Sequence, residues 1–345
     1  MTKVKHYFKT CDKNFWGLLA MLLAILIALY IGKGDKFYTA QNLLSIASQF
    51  PQFGVMSLGM MLAMILGGID LSIVGLANLA TIVSGVLLKH WIVPGETSAG
   101  EAVAFIVAAV LLALLIGAVG GCINGFLISR VGIPAILATL GTQQLYTGLC
   151  VVITKGSAVS GIPAEFKSIG SFRLFGVIPL PLIVFIICAA VISFILTKTA
   201  FGKRIYLLGT NRKAAIYSGL HEHRITMSVY AISGFLAAVG GLLMMARMGS
   251  AKADYGSSYV MQCILIVVLG GVNPNGGFGK VRDVVVAIFI LQAISSGLNM
   301  FPSISSYYKQ LIWGAVLLLV MIAKFIVAHR NTRKKKSVEK VSATN

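Results

Sequence analysis

The chain has 345 residues, 57% hydrophobic and only 11% charged, with a formal net charge of +19. A soluble domain carries about 25% charged residues, so this composition, with a mean hydropathy of +0.90, excludes an ordinary soluble enzyme and points to a chain solvated by lipid. The positive charge has no aromatic-interleaved basic groove around it, so no nucleic-acid partner is expected.

A helical crossing takes about 20 apolar residues, fewer where a helix is broken inside protein. Ten such segments are predicted, at about Phe15 to Ile31, Pro51 to Leu66, Ser72 to Leu88, Ala102 to Ile128, Pro134 to Ile153, Ile178 to Leu196, Ile225 to Met245, Tyr259 to Leu269, Val284 to Met300 and Tyr308 to Ala328. The second and eighth are short. The predicted fold is an all-α polytopic membrane protein of about ten transmembrane helices, short or broken ones included. The first segment follows a basic start like a secretory signal, yet it is long and lacks a small-x-small cleavage site, so it reads as a retained helix.

Ten crossings put both termini on one side. Twenty of the 29 Lys and Arg fall on that side, including Lys3, Lys5, Lys9 and Lys13, the cluster from Lys198 to Arg224, and the tail from Arg330 to Lys340. Cytoplasmic loops concentrate Lys and Arg, so both termini are expected in the cytoplasm. The domains are then a cytoplasmic segment 1–14, a single transmembrane domain 15–328 with a cytoplasmic loop near 198–224, and a basic cytoplasmic tail 329–345, with anionic lipid as a further contact.

Reactive constellations are absent from the sequence. There is no phosphate-binding G-x-x-x-x-G-K-[ST] and no H-E-x-x-H, so the chain is not expected to be an enzyme, to hydrolyse ATP by itself or to bind a cofactor. Cys11, Cys122, Cys150, Cys188 and Cys263 have no C-x-x-C spacing, which argues against a disulfide framework or a metal site. His221-Glu222-His223 are successive residues in a basic loop and point apart on a helix. Ionisable residues within the apolar segments, the mark of ion-driven carriers, reduce to Asp70, with no base nearby, and Asp283, beside Arg282.

The apolar segments instead carry uncharged polar residues, among them Ser72, Asn78, Asn124, Thr139, Thr142, Gln143 and Asn299. Hydroxyls and amides suit a neutral polyhydroxylated solute, and with Asp70 these residues are the candidates for a translocation path or gate; they equally serve as hydrogen-bonding glue between helices. Asp70 is also placed to cap the following helix. Gly67 and Gly68, and Gly270 and Gly271, are read as helix breaks, and Gly120 to Gly125 as an interruption of the fourth segment. Ala63 to Asp70 and Ile266 to Asn273 echo each other over eight residues.

Gly67-Gly68-Ile69-Asp70-Leu71-Ser72, Asn124-Gly125, Ile133 to Thr142, Phe201 to Tyr206 with Gly209 and Asn211, and Leu269-Gly270-Gly271 together resemble the permease subunits of ribose-type ABC sugar importers, over roughly Asn42 to Lys324. The resemblance implies a bacterial inner-membrane subunit that forms the path for a ribose-like pentose, a hexose or a sugar-like signalling molecule by alternating access. It also implies partners: ABC ATPase subunits carrying ATP and Mg, an extracytoplasmic sugar-binding protein, and a second permease chain, identical or related. Lys213 to Gly219 resembles a degenerate form of the family's ATPase-gripping loop, with Lys213 in place of the acid; Asn211, Lys213, Ala214, Ala215, Ser218 and Gly219 are the implied coupling residues. After Asp70 the chain is one residue longer than the family pattern. The competing reading is an ATP-independent facilitator or a secondary carrier.

Overall fold

The computed structural model describes residues 2–34, 37–93, 95–300, 308, 311–316, 318, 319 and 322, with only the backbone for 2–13 and 33. Residues 1–301 form one compact unit and 302–345 a second, in which the described positions are helical. The predicted segment Tyr308 to Ala328 and the tail lie largely or wholly outside the described residues.

The first unit is built from α1 Thr2–Lys33, α2 Ala40–Gln49, α3 Pro51–Ile65, α4 Ile73–Trp91, α5 Ala99–Phe126, α6 Ala135–Thr154, α7 Ala164–Ser171, α8 Leu180–Lys198, α9 Ala200–Thr210, α10 Arg212–Tyr217, α11 Glu222–Met248, α12 Tyr259–Leu269 and α13 Val281–Asn299. Four two-residue strands form two antiparallel pairs: β1 Val159–Ser160 with β4 Ser250–Ala251, and β2 Arg173–Leu174 with β3 Ile178–Pro179. Among the described residues, seven helices are long and apolar enough to cross a membrane: α1, α4, α5, α6, α8, α11 and α13. Nine of the ten predicted segments coincide with helices.

The shortness of α3 has a packing cause. Its helix starts on Pro51, where a missing N–H is harmless, and all fifteen of its residues are buried. It packs against α11, α12, α8 and α13, so it has no lipid face and is apolar on every side but for the buried Gln52 and Ser57, as a central helix tends to be. α12 is enclosed in the same way over its second half, Leu265 to Leu269.

The fourth predicted segment is not interrupted at Gly120 to Gly125, which corrects that expectation. α5 opens on a capping box between Ser98 and Glu101 and runs unbroken to Phe126, then through one π-helical turn, Leu127–Val131. Gly117, Gly121 and Gly125 lie four apart on one face. A Cβ on Gly121 would collide with the Tyr230 carbonyl, and one on Gly125 would sit 2.5 Å from the Met227 Cα. These glycines let α5 and α11 touch backbone to backbone, as small residues four apart do in membranes.

The α3–α4 turn, the α5–α6 turn, α9, the start of α11 and the loop after α12 meet around one cavity at one end of the unit. β1, β4 and the β2–β3 hairpin lie on connections at the other ends of those helices.

Candidate functional site

A chain of hydrogen bonds crosses the core. Asp70 is completely buried just after the α3 terminus. Its Oδ1 accepts from the Ser72 N–H at 3.2 Å and the Ser72 hydroxyl at 2.7 Å, and its Oδ2 accepts from the Ser233 hydroxyl of α11 at 2.7 Å. The Asn124 amide of α5 donates to Ser72 Oγ at 2.7 Å, and Thr142 of α6 donates to Asn124 Oδ1 at 2.6 Å. Thr139, one turn earlier on α6, donates to the Ile69 carbonyl at 2.9 Å. Asp70, Ser72, Asn124, Thr139 and Thr142 are thus brought together, and the carboxyl group is held by hydroxyls and one amide N–H instead of a cation. As a cap Asp70 acts only on Ser72: the N-cap of α4 is Ser72 itself, whose side chain makes no capping bond.

The other predicted path residues lie apart. The Asn78 amide donates to the Ala253 and Tyr255 carbonyls at 2.9 Å each, tying α4 to the loop before α12. In that loop the Asp254 carboxylate, 2.9 Å from Lys252, holds the lysine ammonium above its ordinary pKa. Gln143 is half-buried, with its carbonyl and Cγ against Gly75, and Asn299 is exposed.

The glycine breaks form two matching helix ends. Gly67 has φ +93° and Gly271 +84°. In each, the left-handed residue donates to the carbonyl three before it and the next residue to the carbonyl five before it: Gly67 to Met64 and Gly68 to Ala63, then Gly271 to Val268 and Val272 to Val267, all at 2.9–3.2 Å. This is the Schellman cap. The structural match pairs Gly67 with Gly271, one residue out of step with the sequence echo, which pairs Gly67 with Gly270. Gly68 and Gly270 serve closeness instead: a Cβ would strike the Tyr230 hydroxyl at the first and come 2.8 Å from the Val284 Cα at the second.

The two ends are bolted together. The Gly277 N–H donates to the Ile65 carbonyl at 2.8 Å, satisfying a terminal acceptor of α3. α9 closes over this junction through Gly209, whose Cβ would overlap the same Ile65 carbonyl and approach the Gly277 nitrogen to 2.6 Å, while Tyr206 donates to the Gly279 carbonyl at 2.6 Å.

One residue beyond α9, the predicted coupling segment forms its own short helix. Asn211 caps α10, its Oδ1 accepting from the Ala214 N–H at 3.0 Å. Ala215 faces inward; Lys213, Ala214, Ser218 and Gly219 are exposed, and so are Ile216 and Tyr217, the latter 90% exposed. Gly219 ends the helix with φ +81° in open space. Glu222, of the His-Glu-His triplet, opens α11 and pairs with Arg212, closing the loop.

Between this loop and Asp70 lies a cavity of about 800 Å³, lined by Gly68, Ile69, Pro134, Arg212, Glu222 and Tyr230 among others. The Tyr230 hydroxyl is buried without a hydrogen-bond partner among the described residues. Sequence reasoning passed over Ser233 and Tyr230. Both sit in the apolar run of α11, one turn apart, and a hydroxyl at that spacing beside Gly234 was the available signal.

Membrane-crossing helices, capped helix ends meeting at glycines and a buried chain of polar groups around Asp70 define the class: a multi-pass membrane protein. Residues 42–321 match the model of the permease component of the branched-chain amino acid transport system, and the chain belongs to that family of permeases. It is similar to the autoinducer 2 import system permease protein LsrD of Escherichia coli strain K12, at 31% identity over 326 residues, 92% of this chain and 94% of the relative. It is also similar to LsrD of Yersinia enterocolitica, at 31% identity over 323 residues, 92% of this chain and 93% of the relative. No solved structure matches. The resemblance to ribose-type ABC importer permeases stands, and the chain is a transport component, not an enzyme.

Proposed function

We propose that this chain forms the translocation path of an inner-membrane ABC importer for a neutral, polyhydroxylated solute of sugar size. Its termini and the α9–α10 loop face the cytoplasm, where paired ATPases grip Asn211, Lys213, Ala214, Ala215, Ser218 and Gly219. A second permease chain completes the path, and an extracytoplasmic binding protein delivers the solute. The relatives named for autoinducer 2 import make a small oxygen-rich signalling molecule a member of the solute class, alongside pentoses and hexoses.

One observation carries this reading: a backbone-to-backbone path from the exposed loop to the buried carboxyl group. α10 continues from α9; α9 packs through Gly209 onto the Ile65 and Gly277 backbone; Ile65 ends the helix whose cap leads to Asp70. Close-packed elements without flexible side chains between them transmit displacement instead of absorbing it. A push on α10 therefore tilts the capped ends of α3 and α12, and the gate formed by Asp70, Ser72, Asn124, Thr139 and Thr142 alternates between two arrangements biased by ATP binding on the partners.

The test is reconstitution with the ATPase and binding protein that co-purify from the native membrane. Uptake of labelled sugars that needs ATP and the binding protein supports the reading. Uptake by the chain alone, insensitive to ATP, would replace it with a facilitator.

A further inference from the structure

The β2–β3 hairpin places an apolar tip where nothing among the described residues covers it. Leu174 pairs with Ile178, and the loop Phe175-Gly176-Val177 closes through the Gly176 N–H on the Arg173 carbonyl and the Val177 N–H on the Leu174 carbonyl, both at 3.2 Å. Phe175 is 89% exposed and Val177 61%, with Phe172, Leu174 and Ile178 exposed beside them. Phe175 also holds φ +52°, followed by Gly176 at +73°. A bulky residue in the left-handed region is uncommon and strained. Backbone strain that turns a phenyl ring outward calls for a compensating environment.

Depth identifies that environment. The Leu180 N–H donates to the Phe172 carbonyl at 3.0 Å, so the hairpin is joined to the first residue of α8 without a spacer. α8 has 19 residues, about 28 Å of helix, which the roughly 30 Å hydrocarbon core consumes completely. Leu180 therefore stands at the hydrocarbon boundary. The tip lies three residues beyond it, at most about 10 Å, a reach comparable with the headgroup layer. Farther along, α8 also exposes apolar side chains, Ile186, Ile187, Val191 and Phe194. From Ser168 to Leu196 the single charged residue is Arg173, which is exposed and suited to a lipid phosphate.

We infer that the hairpin is a membrane anchor, with Phe175 and Val177 seated in the headgroup layer of the leaflet at the N-terminal end of α8 and Arg173, nearer Leu180, on phosphate. The anchor holds this end of α8 at fixed depth while the other end, through α9, carries the α10 loop.

The test places a nitroxide on Phe175→Cys in the full chain in phosphatidylcholine–phosphatidylglycerol nanodiscs, with Ile187→Cys on α8 and exposed Glu165→Cys as references and the unsubstituted chain as the blank for native thiols. The oxygen-to-nickel-chelate collision ratio at 175 is expected at least about threefold above that at 165 and below that at 187, as for a side chain in the headgroup layer. Val177→Cys reports the same depth if the first variant folds poorly. A ratio at 175 and 177 equal to that at 165 overturns the anchor. So does low nickel access that appears only when the binding protein is added, which would make the tip a protein contact.

Discussion

Ser233 and Asp70, 163 positions apart in sequence, meet in a 2.7 Å hydrogen bond between two fully buried groups. The bond ties α11 to the turn between α3 and α4, and it is one of three that hold the carboxyl group. Ser233→Ala removes one donor and leaves Oδ2 without it, at a cost of about 1 kcal/mol. The expected thermal midpoint in detergent falls by roughly 1–2 °C. An unchanged midpoint would mean that the carboxyl group does not depend on α11.

Asn124 and Thr142 supply a cleaner test of the same chain, because both are side chains bonded to each other at 2.6 Å. A double-mutant cycle with Asn124→Ala and Thr142→Val is expected to give a coupling energy of about 0.5–1.5 kcal/mol from denaturation midpoints. Strict additivity would sink the claim that they act as one network.

The α5–α11 contact predicts opposite outcomes for two glycine substitutions of the same size. Gly121→Ala drives a methyl into the Tyr230 carbonyl, whereas at Gly141, in α6, nothing lies within 4 Å of the added Cβ. Gly121→Ala should cut the yield of folded, monodisperse protein severely. Gly141→Ala should be neutral or stabilising by up to about 1 kcal/mol, since alanine is the better helix former. Fluorescence-detected size exclusion of both variants, side by side, decides it.

Gly219 separates folding from coupling. Its φ of +81° makes any side chain cost about 1 kcal/mol, yet the space around it is open. Gly219→Glu is expected to insert and fold normally while abolishing solute uptake and leaving ATP hydrolysis by the partners running. Normal uptake would remove the loop from the coupling route.

Asn211→Ala deletes the α10 cap, worth about 1 kcal/mol, from a helix of only six residues. Asn211→Asp keeps an acceptor and should restore most of the lost uptake. If alanine and aspartate behave alike, the cap does not set the loop's shape.

Much of this protein is legible without its structure, because lipid imposes a simple rule. Backbone groups in hydrocarbon must bond within their own helix, so long apolar runs such as 180–198 and 222–248 mark their helices directly. Left-handed helix ends likewise demand glycine, which is why Gly67 and Gly271 stand out as turns. Asp70, Ser72, Asn124, Thr139 and Thr142 were visible as polar residues in apolar surroundings, and the capacity of α10 to start at Asn211 and stop at Gly219 is written in those two residues.

What the tertiary structure decided is partnership. Hydropathy does not distinguish a lipid-facing helix from a central one, so α3 reads as a shortened crossing until its neighbours are seen to enclose every residue. Glycines four apart on α5 look the same whether they break a helix or admit another; only the arrival of the Tyr230 and Met227 backbone settles that they admit one. The one-residue offset between the two capped ends, and the bond from Ser233 to Asp70, depend on how separated segments dock. Local sequence carries the periodicity and the backbone allowances of each helix, while contacts between residues 163 apart arise only when the helices assemble.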